Sequence, residues 1–275
     1  MDRHGAAIGK ALLALAAAGM LALPAAAQAQ DPQAEADQAR WKELVGLYFD
    51  GRQPEPAGGA LVLEAPARAA DAAIVPVTLR AGPDAKLKRL HLIVDDNPVP
   101  RALLVELGPR AASAALETRV RVDEYTHIHA VAETEDGRLV ETSAFVKASG
   151  GCSAPALKDP AQAASRLGRM KLNLPAEIRA GQPARAQLLV SHPNSSGLQF
   201  DQISRSYIAP HYVERISVRY NGESVAEFET DISVSEDPSL HFSFLPDAAG
   251  TLEVEVRDSK GGVFRQEWPV SAGPA

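Results

Sequence analysis

The sequence predicts an all-β protein: two Ig-like antiparallel β-sandwich domains in tandem, preceded by a short amphipathic helix. Three observations carry this. From Leu61 onward apolar residues recur at every second position, as in Leu90, Leu92, Val94 and again in Leu252, Val254, Val256, the period of a strand with one buried face. The runs are short and separated by turn formers such as Ala81-Gly82-Pro83-Asp84, Asp95-Asp96-Asn97-Pro98 and Asp136-Gly137, with no crossover helices, which is the signature of a sandwich. The layout also occurs twice in a chain of 275 residues, long enough for two domains of roughly 100 residues each.

The first 29 residues read as a signal peptide. Arg3 and Lys10 give a basic start, Ala11 to Leu23 an apolar stretch, and Ala27-Gln28-Ala29 a small-residue cleavage pattern that puts the mature start near Gln30. That stretch falls short of the roughly 20 residues needed to span a bilayer, and no cysteine stands at the cleavage site to take a lipid. The expectation is a periplasmic protein without a membrane anchor. Residues 30–59 form the N-terminal helix and linker. Asp31-Pro32 is a helix start, with Asp at the cap and Pro in the first turn; Trp41, Leu44, Val45 and Tyr48 repeat at helical spacing, and Gly51 to Gly59 ends the element.

Residues 60–148 form the first sandwich, with strand runs around Leu61–Leu63, Ile74–Arg80, Leu87–Asp95, Leu103–Leu107, Leu116–Val122, His127–Thr134 and Leu139–Val146. A connector covers 149–168, ending in a brief helix from Asp159-Pro160. Residues 169–275 form the second sandwich, with runs at Lys171–Leu174, Arg185–Val190, Val213–Tyr220, Ser224–Glu229, Leu240–Leu245, Thr251–Arg257 and Val263–Val270; Asn221-Gly222 signals a two-residue hairpin. Ser191 to His211 is too long for an ordinary turn and is either a contact surface or a plain surface loop.

The net charge is −7, and removing Asp2, Arg3 and Lys10, which sum to +1, leaves −8 for the mature chain. That argues against a nucleic-acid partner, which needs a basic face. Cys152, the only cysteine, stands in Gly150-Gly151-Cys152-Ser153-Ala154-Pro155. One cysteine cannot make an internal bridge, so in an oxidising compartment it is kept for pairing with another molecule or for chemistry. Glycine, serine and proline around it predict an exposed, mobile connector in which Gly150 and Gly151 act as a flexible arm and turn the thiol outward. A passive surface thiol and a buried structural one are the other readings.

His127 and His129 lie two apart on one strand face, with Glu133 further along it; a metal site needs a third or fourth ligand, and no metal is assigned. The sequence has no Gly-x-Ser-x-Gly elbow, phosphate loop, dinucleotide fingerprint or His-Glu-x-x-His, so neither an enzyme nor a cofactor is expected.

The order of motifs resembles a known pair of families. The Trp41 helix, Asp95-Asp96-Asn97-Pro98-Val99-Pro100, Val131 to Gly137, Thr142 to Lys147 and Gly150-Gly151-Cys152 resemble SoxY, the sulfur-carrier subunit of bacterial thiosulfate oxidation. His192-Pro193, Gly197, Tyr220-Asn221-Gly222-Glu223-Ser224-Val225, Phe242-Ser243-Phe244 and Gly250-Thr251-Leu252-Glu253 resemble its partner subunit SoxZ. The fused form resembles the SoxYZ-like carriers associated with quinoprotein (PQQ-type) alcohol dehydrogenases. The resemblance implies a carrier whose arm cysteine, here Cys152, holds a sulfur intermediate covalently. Its implied partners are periplasmic redox enzymes, either sulfur-oxidation enzymes or a quinoprotein dehydrogenase and cytochrome c. An accessory protein for the dehydrogenase is the alternative. The chain departs from the SoxY arm in three ways: Ser153-Ala154-Pro155 replaces two trailing glycines, the chain continues past it, and Arg3-His4 is no twin-arginine signal. Held at both ends, the segment from Val146 to Cys152 can reach no more than about 20 Å.

Overall fold

The computed structural model of the chain describes residues 32–156 and 160–274; the signal-peptide expectation lies outside them. Helix α1 (Pro32–Phe49) is followed by β1 (Glu55–Pro56), β2 (Leu61–Glu64), β3 (Val75–Ala81), β4 (Leu87–Val94), β5 (Arg101–Leu107), β6 (Ala111–Val120), β7 (Thr126–Thr134) and β8 (Leu139–Val146). After the connector come α2 (Pro160–Arg166), β9 (Met170–Asn173), β10 (Ala184–Val190), β11 (Phe200–Asp201), β12 (Ser206–Tyr207), β13 (Val213–Tyr220), β14 (Glu223–Thr230), β15 (Ser239–Phe244), β16 (Gly250–Asp258) and β17 (Val263–Val270). The all-β tandem is as the period-two pattern predicts. Alternation is plain in β10, where Ala184, Ala186, Leu188 and Val190 are buried and the residues between them are not. Asn221 and Gly222 join β13 to β14 with φ of 51° and 80°, the left-handed pair that a type I′ turn requires.

The two halves share both of their sheets. One sheet has nine strands in the order β1-β8-β7-β4-β5-β14-β13-β16-β17, and the facing sheet has six in the order β2-β3-β6-β15-β10-β9. The seam is antiparallel in each layer. In one, Leu103 to Leu107 pair with Thr230 to Ala226; in the other, β6 pairs with β15 from Ala111↔Phe244 to Glu117↔His241. One core therefore runs the length of the molecule, from Leu61, Leu90 and Val140 through Val105 and Phe228 to Val256 and Val270. Pairing edge strands across the seam removes open edges that would otherwise invite aggregation. Gly108 sits at the seam: its N–H donates to the Val225 carbonyl at 2.9 Å, and a Cβ there would lie 2.3 Å from the Ser224 carbonyl oxygen.

Helix α1 lies on the outer face of the nine-stranded sheet. Leu44, Val45 and Phe49 pack on Ile93, Val131 and Leu139, with Trp41 and Tyr48 at the margin. Two successive left-handed residues, Asp50 and Gly51 (φ 54° and 76°), unwind its end. Beneath it His91 is buried against the edge of the Phe49 ring, with centroids 4.9 Å apart, and its Nδ1 has no hydrogen-bond partner among the described residues. Burial, helped by Arg101, Arg89 and Arg52, brings His91 down to about 4. Among the described residues no helix is long and apolar enough to cross a membrane.

Two outcomes are expected. Gly108→Ala forces backbone against backbone at the seam and should destabilise the fold by about 1–3 kcal/mol; an unchanged thermal midpoint would show that the seam does not need the close approach. The unfolded chain protonates His91 near its ordinary value while the folded chain resists until about 4. Its contribution to stability is therefore complete above pH 6.5 and drains away as pH falls from there toward 4, by up to about 3 kcal/mol. His91→Leu removes that loss, so its urea midpoint should fall less between pH 7 and pH 4.5 than that of the wild type.

Candidate functional site

Cys152 lies at one end of the seam, where the connector passes beneath the second half. Ser149, Gly150, Ser153 and Pro155 of the connector are exposed, but the thiol is not turned outward as expected: Cys152 is buried, with 0% of its surface accessible. The glycines have different reasons for being there. Gly150 takes φ 77° and donates its N–H to the Asp123 carbonyl at 2.8 Å; Gly151 donates to the Val122 carbonyl at 3.0 Å. A Cβ on Gly151 would fall 2.1 Å from the Ala72 carbonyl oxygen. The pair serves a tight turn and a close approach rather than an arm, because a side chain at Gly151 could not fit against residues 72 and 122.

The connector is then tied down from both halves. The Cys152 N–H donates to Asp123 Oδ1 at 3.2 Å. Its carbonyl accepts the Ser196 hydroxyl, and the Ala154 carbonyl accepts Gln199 Nε2 at 2.9 Å. Ser196 and Gln199 belong to the long loop 191–211, so the stretch that sequence offered as a possible contact surface is a cover bonded to the backbone of the buried Cys152 and of Ala154. Burial, with the Asp123 charge adding and Arg121 opposing, pushes the Cys152 thiol up to about 12.

A polar lattice supports this spot. Arg121 is buried; its Nη1 donates to the Val234 carbonyl at 2.7 Å, while burial pulls its guanidinium below the ordinary value against the nearby Cys152 and Glu236. Asn97 Nδ2 donates to the Arg121 carbonyl at 2.8 Å and to Ser233 Oγ at 2.9 Å, and Asn97 Oδ1 accepts the Asp123 N–H at 2.9 Å. Asn194 Nδ2 also reaches the Val234 carbonyl, at 3.2 Å. Arg121, Asp123 and Asn97 come from the first half and Val234, Ser196 and Gln199 from the second. Their sequence separation hides the grouping; only the length of loop 191–211 offered a signal.

The cover is clamped at both ends. His192 and His211 stand at either side of it, and both imidazoles face Asp258 Oδ2, at 3.5 Å and 2.9 Å. Burial pushes Asp258 up, but the hydrogen bonds from His211 and from the Gly262 and Lys260 amides outweigh it and hold the carboxyl below its ordinary value. The ligand atoms of these three side chains lie within 4.8 Å of one another; His211 Nε2 bonds Asp258 Oδ2, while His192 Nε2 is buried and makes no hydrogen bond among the described residues. His192 Nδ1 accepts the Asn194 N–H at 3.1 Å, so the neutral ring carries its proton on Nε2, where a cation would need a lone pair.

His127 and His129 do share a face of β7, with rings 5.9 Å apart, but each is engaged separately under α1. His129 Nδ1 lies 3.0 Å from Asp95 Oδ1, and its ring stacks on Trp41 at 3.7 Å. His127 Nδ1 lies 3.5 Å from Asp37. Glu133 does not join them, its carboxylate being 3.2 Å from Arg89.

Comparison with known proteins divides the chain at this site. Residues 47–152 match the family Sulfur oxidation protein SoxY, and residues 170–269 match Sulphur oxidation protein SoxZ. No curated protein matches the chain. Among solved structures, the sulfur carrier protein SoxY from Chlorobium limicola f thiosulfatophilum is 19% identical, with a TM-score of 0.37, over 42% of this chain and 98% of its own. A superoxide reductase (neelaredoxin) from Ignicoccus hospitalis is 12% identical, with a TM-score of 0.30, over 42% of this chain and 89% of its own. The two family matches follow one another along a single core, and the chain carries a SoxY-family domain and a SoxZ-family domain in tandem.

Proposed function

We propose that the chain is a periplasmic carrier that holds a sulfur-bearing intermediate covalently on the thiol of Cys152 while partner enzymes process it. The observation that carries this reading is the position of the sole cysteine. The SoxY match ends on Cys152, and the SoxZ domain supplies the loop that covers it. With a value near 12, only roughly one thiol in 10⁵ is ionised at neutral pH, and the thiolate is the reactive form. A free thiol in an oxidising compartment is thus protected until the cover moves.

Joining a thiol to a sulfur anion makes one sulfur–sulfur bond and releases one proton and two electrons. The loading partner is therefore a redox protein: a sulfur-oxidation enzyme, or a cytochrome c working with a quinoprotein dehydrogenase. The fused arrangement supports the quinoprotein-associated subtype by likeness. The closed, un-ionised thiol favours a second reading, a non-covalent accessory for a periplasmic PQQ-type alcohol dehydrogenase, in which Cys152 takes no part.

Intact-mass measurement on protein from the native host separates these. The carrier reading expects a mass increment on Cys152 and loss of function in Cys152→Ser. A uniformly unmodified thiol together with a fully functional Cys152→Ser strain would sink it and leave the accessory reading. In the purified protein, a thiol reagent should label Cys152 at least about a thousandfold more slowly than in urea from the ionisation difference alone. Equal rates would show that the thiol is open.

A further inference from the structure

The loop that covers Cys152 is apolar on its outer side. Leu198 is 37% exposed, Phe200 49%, Tyr207 69% and Ile203 95%, while the same loop's Ser196 and Gln199 are buried and bonded to the connector. Its tip, β11 and β12, forms a two-stranded hairpin that pairs with neither sheet of the sandwich. Single exposed apolar residues are ordinary, but clustered ones mark contact surfaces.

The tip is also held in shape. Asp201 Oδ1 accepts the Ile203 N–H at 3.0 Å, and Asp201 Oδ2 accepts the Ser204 hydroxyl at 2.8 Å. The Phe200 and Tyr207 rings meet edge to face with centroids 5.5 Å apart, and the Ile208 N–H closes the hairpin onto the Gln199 carbonyl at 2.8 Å. An isoleucine presented on a stiffened turn beside two locked aromatic rings has little freedom left to lose on binding.

What occupies this face follows from what lies under it. The inner side of the loop bonds the carbonyls of the buried Cys152 and of Ala154, so a protein that approaches Cys152 from the side of the second half meets this loop first. The outer side offers it a grip. The charges beside the tip, Asp201 and Arg205, cancel, which makes the contact apolar rather than charge-steered. We propose that the 198–207 hairpin is the docking handle for the redox enzyme that acts on Cys152, received by an apolar pocket on that enzyme, and that docking lifts the cover from the thiol. This inference rests on the carrier reading.

The test uses full-length chains in the native host grown with thiosulfate, reading adduct occupancy on Cys152 by intact mass. The double variant Ile203→Ser/Tyr207→Ser alters only exposed side chains. Its occupancy should fall at least tenfold while its thermal midpoint stays at the wild-type value. The inner-face variant Gln199→Ala should instead speed labelling of Cys152 by a small thiol reagent in the purified protein, at least severalfold, because the cover opens more often. Wild-type occupancy in the tip variant would overturn the handle and leave the carrier standing. A wild-type dimer in sedimentation that dissolves in the tip variant would overturn it too, by assigning the face to a second copy. An unmodified wild-type thiol would remove the carrier reading and the handle with it.

Discussion

The structure depends on the seam at which the two halves pair strand to strand in both layers. Each sandwich alone would end in an open edge, β5 and β6 on one side and β14 and β15 on the other. Pairing them satisfies the backbone groups of four strands at once and merges two small cores into one. Because the seam runs through both sheets, the halves cannot hinge about it without breaking ladders in both. The relative position of residues 121–123 and the loop 191–211 is therefore fixed by sheet pairing, and so is the space in which the connector must run.

That fixed space explains the chemistry of Cys152. The connector threads between a turn of the first half and a loop of the second, and its backbone bonds to both. Burial follows from the threading, and the raised thiol value follows from the burial. The tether at both ends has the same consequence seen from outside. A free terminal arm can carry its cysteine away from the fold, whereas this cysteine stays where the seam puts it.

Much of the fold was legible in the sequence, because strand and helix periods are local properties. The alternation in β16, the Asn221-Gly222 turn and the Leu44-Val45 stripe of α1 each declare their element within a few residues. The seam was not legible, since a strand's period says which face is buried and nothing about which edge it pairs with. The exposure of Cys152 was misread for a related reason. Gly150 and Gly151 look the same whether they supply flexibility or a close approach, and only the Ala72 carbonyl, eighty residues away in sequence, separates the two. The cover could be located as an overlong loop, but its bonding to Cys152 and its clamp at Asp258 join residues that no spacing connects.

Shelter and access pull against each other in any carrier, and the two sides of one loop answer both demands here. Among the described residues, the inner side of the loop reaches the connector through two side-chain hydrogen bonds, each worth about 1 kcal/mol net. The heavier fastening is at the loop's ends, where His192 pairs with Asp237 through its backbone N–H and carbonyl, Ser195 pairs with His211 along the backbone, and His211 Nε2 meets Asp258 Oδ2 at 2.9 Å. Lifting such a loop would leave the seam undisturbed, because its own hairpin pairs with neither sheet of the sandwich.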